Sequence, residues 1–321
     1  MIIVGRLMIG LACGAFTSIG PTYLYEVSPP AVRGTAGSLN QLMCVFSLVL
    51  SQLLGLKEAM NTEKLWPILL GLNAVPCVIT SICLFLVPES PRYLFIVRND
   101  AISAKRALYE IGRSREMVEF EVDEMIRELE TAQQKISLPT FFRTPHLRWG
   151  LLVALVCQVG QQLSGLNGLL YYSETLFTQN GLTTDQAVYA TIGLGLALFF
   201  ASLASTLVMD RLGRRVLLIA GLLVSLLSLI IFTVCLVIHH SVGAQLPVYV
   251  AIAATYVFVI GFGLGPGPIP WLITAEMFTQ ESRDAAVSMS VAVNWLCNIV
   301  IGLVFLELLV SSFSPSLSPS F

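Results

Sequence analysis

Charge is what this sequence has least of. Only 12% of its 321 residues are Asp, Glu, Lys or Arg, against roughly 25% in a soluble domain, and its mean hydropathy is +0.80. So little charge cannot cover a water-exposed globule, which excludes an ordinary soluble fold. There is also no basic excess: 18 Lys and Arg against 20 Asp and Glu leave a net charge of −2, so no nucleic-acid partner is expected. The three histidines, His146, His239 and His240, are expected in loops. With no clustered nucleophile or ligand set, neither catalytic residues, a metal nor a cofactor are expected. The seven cysteines are scattered through apolar stretches without a CxxC pair and read as small buried apolar residues.

What the chain has in abundance is long apolar runs. Crossing the hydrocarbon takes about 20 largely apolar residues, and eight intervals free of Asp, Glu, Lys, Arg and His qualify: 7–25, 34–56, 65–88, 149–173, 186–209, 216–238, 241–275 and 285–306. Alternate loops differ sharply in basic residues. The first, third, fifth and seventh hold 15 Lys and Arg, the others only Lys57 and Lys64. The excess marks the odd loops as cytoplasmic. Residues 88–148 carry 20 of the 38 charged residues, with alternating signs and helical composition, so a linker of short amphipathic helices is expected there.

An acid and a base seven residues apart occur after the first span (Glu26, Arg33) and again after the seventh (Glu276, Arg283). Equal orientation six spans apart is a parallel repeat, as in transporters built of two similar six-helix halves. Amides are the notable polar residues within the spans: Gln41 in the second, Gln161, Gln162 and Asn167 in the fourth, Asn294 and Asn298 in the eighth. An amide both donates and accepts without burying a charge, which suits a neutral polyhydroxylated ligand. Amides in membranes also simply join helices. Pro266, Pro268 and Pro270 cannot donate backbone bonds, so the seventh span is expected to break there.

Six segments, GRLMIG (5–10), YEVSP (25–29), PESPR (88–92), GQQLSGLNGLLYYS (160–173), DRLGRR (210–215) and GPGPIPW (265–271), together resemble the facilitative sugar transporters of the major facilitator superfamily. The resemblance implies an all-α membrane fold, incomplete, with eight of twelve transmembrane helices. These correspond to the family's fourth to eleventh, and the chain is expected to be a fragment that inserts in a membrane without transporting by itself. Four parts are expected: residues 1–87 from the N-terminal half, 88–145 the cytoplasmic linker, 146–310 the C-terminal half and 311–321 a low-complexity tail.

The resemblance further implies a substrate site of Gln41, Gln161, Gln162, Asn167, Trp271, Asn294 and Asn298, and an outer gate of Tyr171 and Tyr172. It implies a cytoplasmic latch of Glu26, Arg33, Glu89, Arg92, Asp210, Arg214, Arg215, Glu276 and Arg283. Leu198 and Gly263 depart from the family, standing where an Asn and a Glu are common. The function implied is passive hexose transport, glucose foremost, by alternating access in the plasma membrane, with a small neutral sugar and the lipid bilayer as partners. The alternatives are proton-coupled symport, which needs a titratable acid in the bilayer, and a non-transporting sugar sensor or truncated product.

Overall fold

The computed structural model describes residues 2–29, 32–131, 138–242, 245–278 and 280–313. Among these it has eight helical passages long and apolar enough to cross a membrane, as the charge-free intervals predict. The first three are α1 (Ile2–Val27), α2 (Arg33–Leu54) and the pair α3 (Trp66–Gly71) and α4 (Ala74–Leu86). The linker holds a π-turn at 93–97, then α5 (Ala101–Glu110) and α6 (Arg115–Thr131). Next come α7 (Leu138–Arg143), α8 (Pro145–Leu163), α9 (Leu166–Gln179), α10 (Thr184–Leu212) and α11 (Arg214–Val242). The last are α12 (Leu246–Leu264), α13 (Ile269–Glu276) and α14 (Gln280–Phe313).

Two passages differ from single rods. The break in the seventh falls at residues 265–268, between α12 and α13, where the proline run predicts it. The fourth passage is also two helices, α8 and α9, separated at Ser164 and Gly165. Gly165 has φ +85°, a left-handed conformation that costs a side-chain-bearing residue roughly 1–2 kcal/mol. Another difference is that α11 runs on to Val242, so His239 and His240 end a helix instead of lying in a loop. Residues 311–313 likewise still belong to α14, while 314–321 lie outside the described residues.

One buried cluster joins the two sides of the linker: Val45 of α2 with Leu166 and Phe177 of α9, Leu194 and Leu198 of α10, and Phe258 and Phe262 of α12. The linker has a small core of its own, Phe95, Ala104, Leu108, Val118, Val122 and Met125. Within it the Arg113–Glu121 pair, at 2.9 Å, is largely buried. Asp100 caps α5 by accepting the Ser103 amide at 3.0 Å, and bonding from Ser103 holds its carboxyl below the ordinary carboxylate range. Because the folded pKa lies below the unfolded one, the cap's contribution is fully present above the unfolded value and is lost as pH falls through the folded value.

Packing between α11 and α12 depends on small residues. A Cβ built on Gly221 would stand 2.6 Å from the Gly261 carbonyl oxygen and 2.7 Å from Pro266 Cδ, so the helix backbones approach as closely as glycine allows. Gly221→Ala is expected to force them apart and lower stability by about 1–3 kcal/mol, read as a lower thermal midpoint of the detergent-solubilised protein. Gly10→Ala, at a position with nothing within 4 Å, is the control and should leave the midpoint unchanged.

Candidate substrate site

In a helix each backbone N–H bonds the carbonyl four residues back, so Pro266, Pro268 and Pro270 leave the carbonyls of Phe262, Leu264 and Pro266 without their helical donors. In hydrocarbon, with no water to replace them, each orphan is costly. All three are satisfied. The Gly267 amide bonds Phe262 O at 2.9 Å, Ser205 Oγ of α10 donates to Leu264 O at 2.7 Å, and Gln161 Nε2 of α8 donates to Pro266 O at 2.8 Å and Gly267 O at 2.7 Å.

Gln161 thus ties the broken seventh passage to a network of amides. Asn294 Nδ2 donates to Gln161 Oε1 at 2.8 Å and to Gln158 Oε1 at 2.7 Å. Its own Oδ1 accepts from Gln162 Nε2 at 2.7 Å. Gln162 Oε1 in turn accepts from Asn167 Nδ2 at 2.6 Å and Asn298 Nδ2 at 3.4 Å. Gln158, Gln161, Gln162 and Asn294 are buried, while Asn167 and Asn298 are half-buried at the network's edge. Gln158 Nε2 is buried with no partner among the described residues.

Of the residues expected from the sequence, Gln161, Gln162, Asn167, Asn294 and Asn298 meet in this one network. Gln41 takes no hydrogen bond in it, but its Nε2 lies at the break, 3.6 Å from where a side chain on Gly267 would begin. Trp271 is half-buried in the first turn of α13. Gln158 is the residue that sequence reading missed. Its spacing gave a signal, since it lies three and four positions before Gln161 and Gln162 and hence on the same helix face. Tyr171 is exposed, and Tyr172 donates to Gly302 O at 3.3 Å, joining α9 to α14. Leu198 and Gly263, the two departures, touch each other: a Cβ on Gly263 would meet Ala201 Cβ at 2.8 Å and Leu198 Cδ1 at 3.2 Å. Helix packing occupies that spot, leaving no room for a Glu.

The charged residues gather at the linker end. Arg214 bridges Asp210 at 3.1 Å and Glu276 at 3.0 Å, and Thr35 of α2 donates to Asp210 Oδ2 at 2.7 Å. Arg283 donates to Ala275 O at 2.9 Å and Phe278 O at 3.0 Å, and its guanidinium lies 4.2 Å from the centroid of the Tyr25 ring of α1. Glu26 accepts from Ser90 Oγ at 2.5 Å, and Arg92 faces Glu124 at 3.5 Å. Arg113 of the linker donates to Val27 O at 2.7 Å. Glu89 accepts its neighbour's amide, Ser90 N–H at 3.1 Å, and Arg215 is exposed on the first turn of α11. Arg33 opens α2, and its side chain lies outside the described residues.

Eight helical passages among the described residues, the fourth and seventh of them broken, make up this fold, and it is shared with known transporters. The proton:xylose symporter XylE bound to 6-bromo-6-deoxy-D-glucose superposes with TM-score 0.75 at 23% identity, over 93% of this chain and 62% of that one. An inward-open XylE structure matches less well, at 0.60 and 22% identity over 89% of this chain and 58% of that one. The chain belongs to the sugar transporter family, whose model, "Sugar (and other) transporter", matches residues 1–314. Facilitated glucose transporter member 2 of Gallus gallus is 39% identical over 307 residues, 95% of this chain and 57% of that protein. Member 3 of the same species is 38% identical, over 95% of this chain and 60% of that protein. The chain therefore spans rather more than half the length of these relatives. It is a multi-pass membrane protein of a transporter family rather than an enzyme.

Gln161→Leu removes the donor to two carbonyls and the acceptor of an Asn294 N–H, and is expected to cost on the order of 3 kcal/mol. Pro270→Ala returns a backbone N–H for Pro266 O, so the same substitution should cost measurably less in that background. A double-mutant cycle on thermal midpoints measures the coupling; strict additivity would mean that Gln161 does not serve the break.

Proposed function

We propose that this chain forms the greater part of a facilitative hexose transporter, with glucose as the preferred substrate, working by alternating access as a uniporter in the plasma membrane. The observation that carries the reading is the uncharged amide network at the paired breaks of the fourth and seventh passages. Asn167 and Asn298, half-buried at the edge of the network, offer donors and acceptors to sugar hydroxyls, Gln41 faces the same break, and Trp271 offers an apolar ring for sugar C–H groups. The glucose transporters that it resembles in sequence support the substrate class. Uniport is supported by the lack of any Asp or Glu in the middle of the eight intervals of this chain, since proton coupling needs a titratable group within the membrane. Symport is the second reading, favoured by the likeness of the fold to a structure named as a proton:xylose symporter.

In this reading residues 1–87 and 146–310 are parts of two rocking halves and 88–145 is the cytoplasmic linker. Tyr171 and Tyr172 form the outer gate. The latch that holds the cytoplasmic side shut consists of Arg214 with Asp210 and Glu276, and of Arg283 on Tyr25, with Glu26, Arg33, Glu89, Arg92 and Arg215 around them. The Arg214 pairs, 28–35% exposed, are weakened by water, and the Arg283–Tyr25 contact is worth about 2 kcal/mol, so such a latch can open within a transport cycle.

Three outcomes are expected of the full-length protein in proteoliposomes. Gln162→Ala should raise the half-saturating glucose concentration about fivefold or more, the equivalent of one lost hydrogen bond of about 1 kcal/mol. Uptake should proceed without proton movement, and sugar-induced alkalinisation of the medium would replace uniport by symport. Arg283→Ala should shift the balance toward inward-facing states, seen as altered inhibitor access from the two membrane faces; unchanged sidedness would remove Arg283 from the latch.

A further inference from the structure

A cavity lies at the opposite end of the bundle from the linker, the outer end by the charge rule. About 240 Å³ in volume, it is bounded by Gln52 and the segment Gly55–Asn61 after α2, by Glu174 of α9, and by Asp185, Tyr189 and Thr191 of α10. That volume is roughly eight waters' share of the liquid, smaller than a drug-sized pocket and on the scale of one small polyhydroxylated ring. It shares no residue with the amide network. Glu174 stands seven residues beyond Asn167, about 10 Å further along α9 at helical rise.

The lining chemistry is specific. Acceptors outnumber donors: Glu58, Glu174 and Asp185 contribute carboxylates, while Lys57, the one cation, is engaged with Asp185 at 3.5 Å. Gln52 lines one wall, its Oε1 buried against Gly195 of α10 and out of reach of the cavity. The Thr191 hydroxyl is already bonded to Ser173 at 3.0 Å. Tyr189 leaves 57% of its surface exposed, a ring face over which C–H groups can lie. A ligand that fits must bring several O–H donors and an apolar face and need no ion pair. We infer that this cavity is an outer vestibule site for the same hexose, occupied before the sugar reaches the amide network. The inference rests on the transport reading given above.

The test is the number of glucose molecules bound per chain, by equilibrium dialysis with radiolabelled glucose on the purified full-length protein. Wild type is expected to bind two. Tyr189→Ala and Glu174→Gln should each bind one, with the remaining site unchanged in affinity, and Tyr189→Phe, which keeps the ring, should restore the second. Gln162→Ala should weaken the other site at least fivefold. Tyr189→Phe and Glu174→Gln are near-isosteric and keep the question answerable if Tyr189→Ala is unstable. One glucose per chain, sensitive to Gln162→Ala and indifferent to Tyr189→Ala and Glu174→Gln, overturns the vestibule and leaves the transport reading intact. No glucose bound at any concentration overturns both. A single glucose lost with Glu174→Gln but indifferent to Gln162→Ala supports the vestibule and overturns the amide site.

Discussion

Three prolines in five residues leave three carbonyls of a membrane helix without donors, and much of the arrangement around the break satisfies them. The Phe262 carbonyl is met from within the break, the Leu264 carbonyl by α10 and the Pro266 carbonyl by Gln161 of α8. An unpaired carbonyl in hydrocarbon costs several kcal/mol, so these donors hold α8 and α10 at fixed places beside the break. Once Gln161 has given both its N–H groups to backbone, its Oε1 orders Asn294. Asn294 orders Gln158 and Gln162, and Gln162 orders Asn167 and Asn298. The site is built outward from the break.

Two kinds of contact join the helices on either side of residues 93–131. Along the membrane they are apolar, with Val45 in the cluster of Leu194 and Leu198 and Phe46 6.0 Å from Phe199 between ring centroids. At the linker end they are charged and partly buried: Thr35 to Asp210, and Arg283, only 4% exposed, against Tyr25. A desolvated cation over a ring is worth about 2 kcal/mol or more, whereas the Lys57–Asp185 pair at the other end, 64% and 77% exposed, contributes little. The linker end is the more firmly closed in this structure.

Much of this was legible before any coordinates. Counting charge-free intervals found all eight passages, because in a membrane the exclusion of charge is a strong and local constraint. The proline run announced the break in α12 and α13 for the same kind of reason, a donor missing from the covalent structure. The break at Gly165 was not legible, since glycine in a membrane helix serves close packing as readily as it serves a turn. The amides were visible as residue types, yet Gln158 was passed over while Gln41 and Trp271 were placed with the rest. Which amides bond one another depends on how α8 and α14 are rotated, and those rotations are set by distant packing.

Sequence alone determined the number of passages, the charged linker between the two parts, the place of one helix break and the polar residue types available within the membrane. These follow from chemistry carried by a few neighbouring residues: charge against hydrocarbon, a ring in place of an N–H. Tertiary structure alone decided that Gln161 serves Pro266 O and Ser205 serves Leu264 O, that Arg214 reaches Glu276, and that Leu198 fills the space before Gly263. Such pairings join residues tens to more than a hundred positions apart, and only the packed helices bring their atoms within the roughly 3 Å that a hydrogen bond requires.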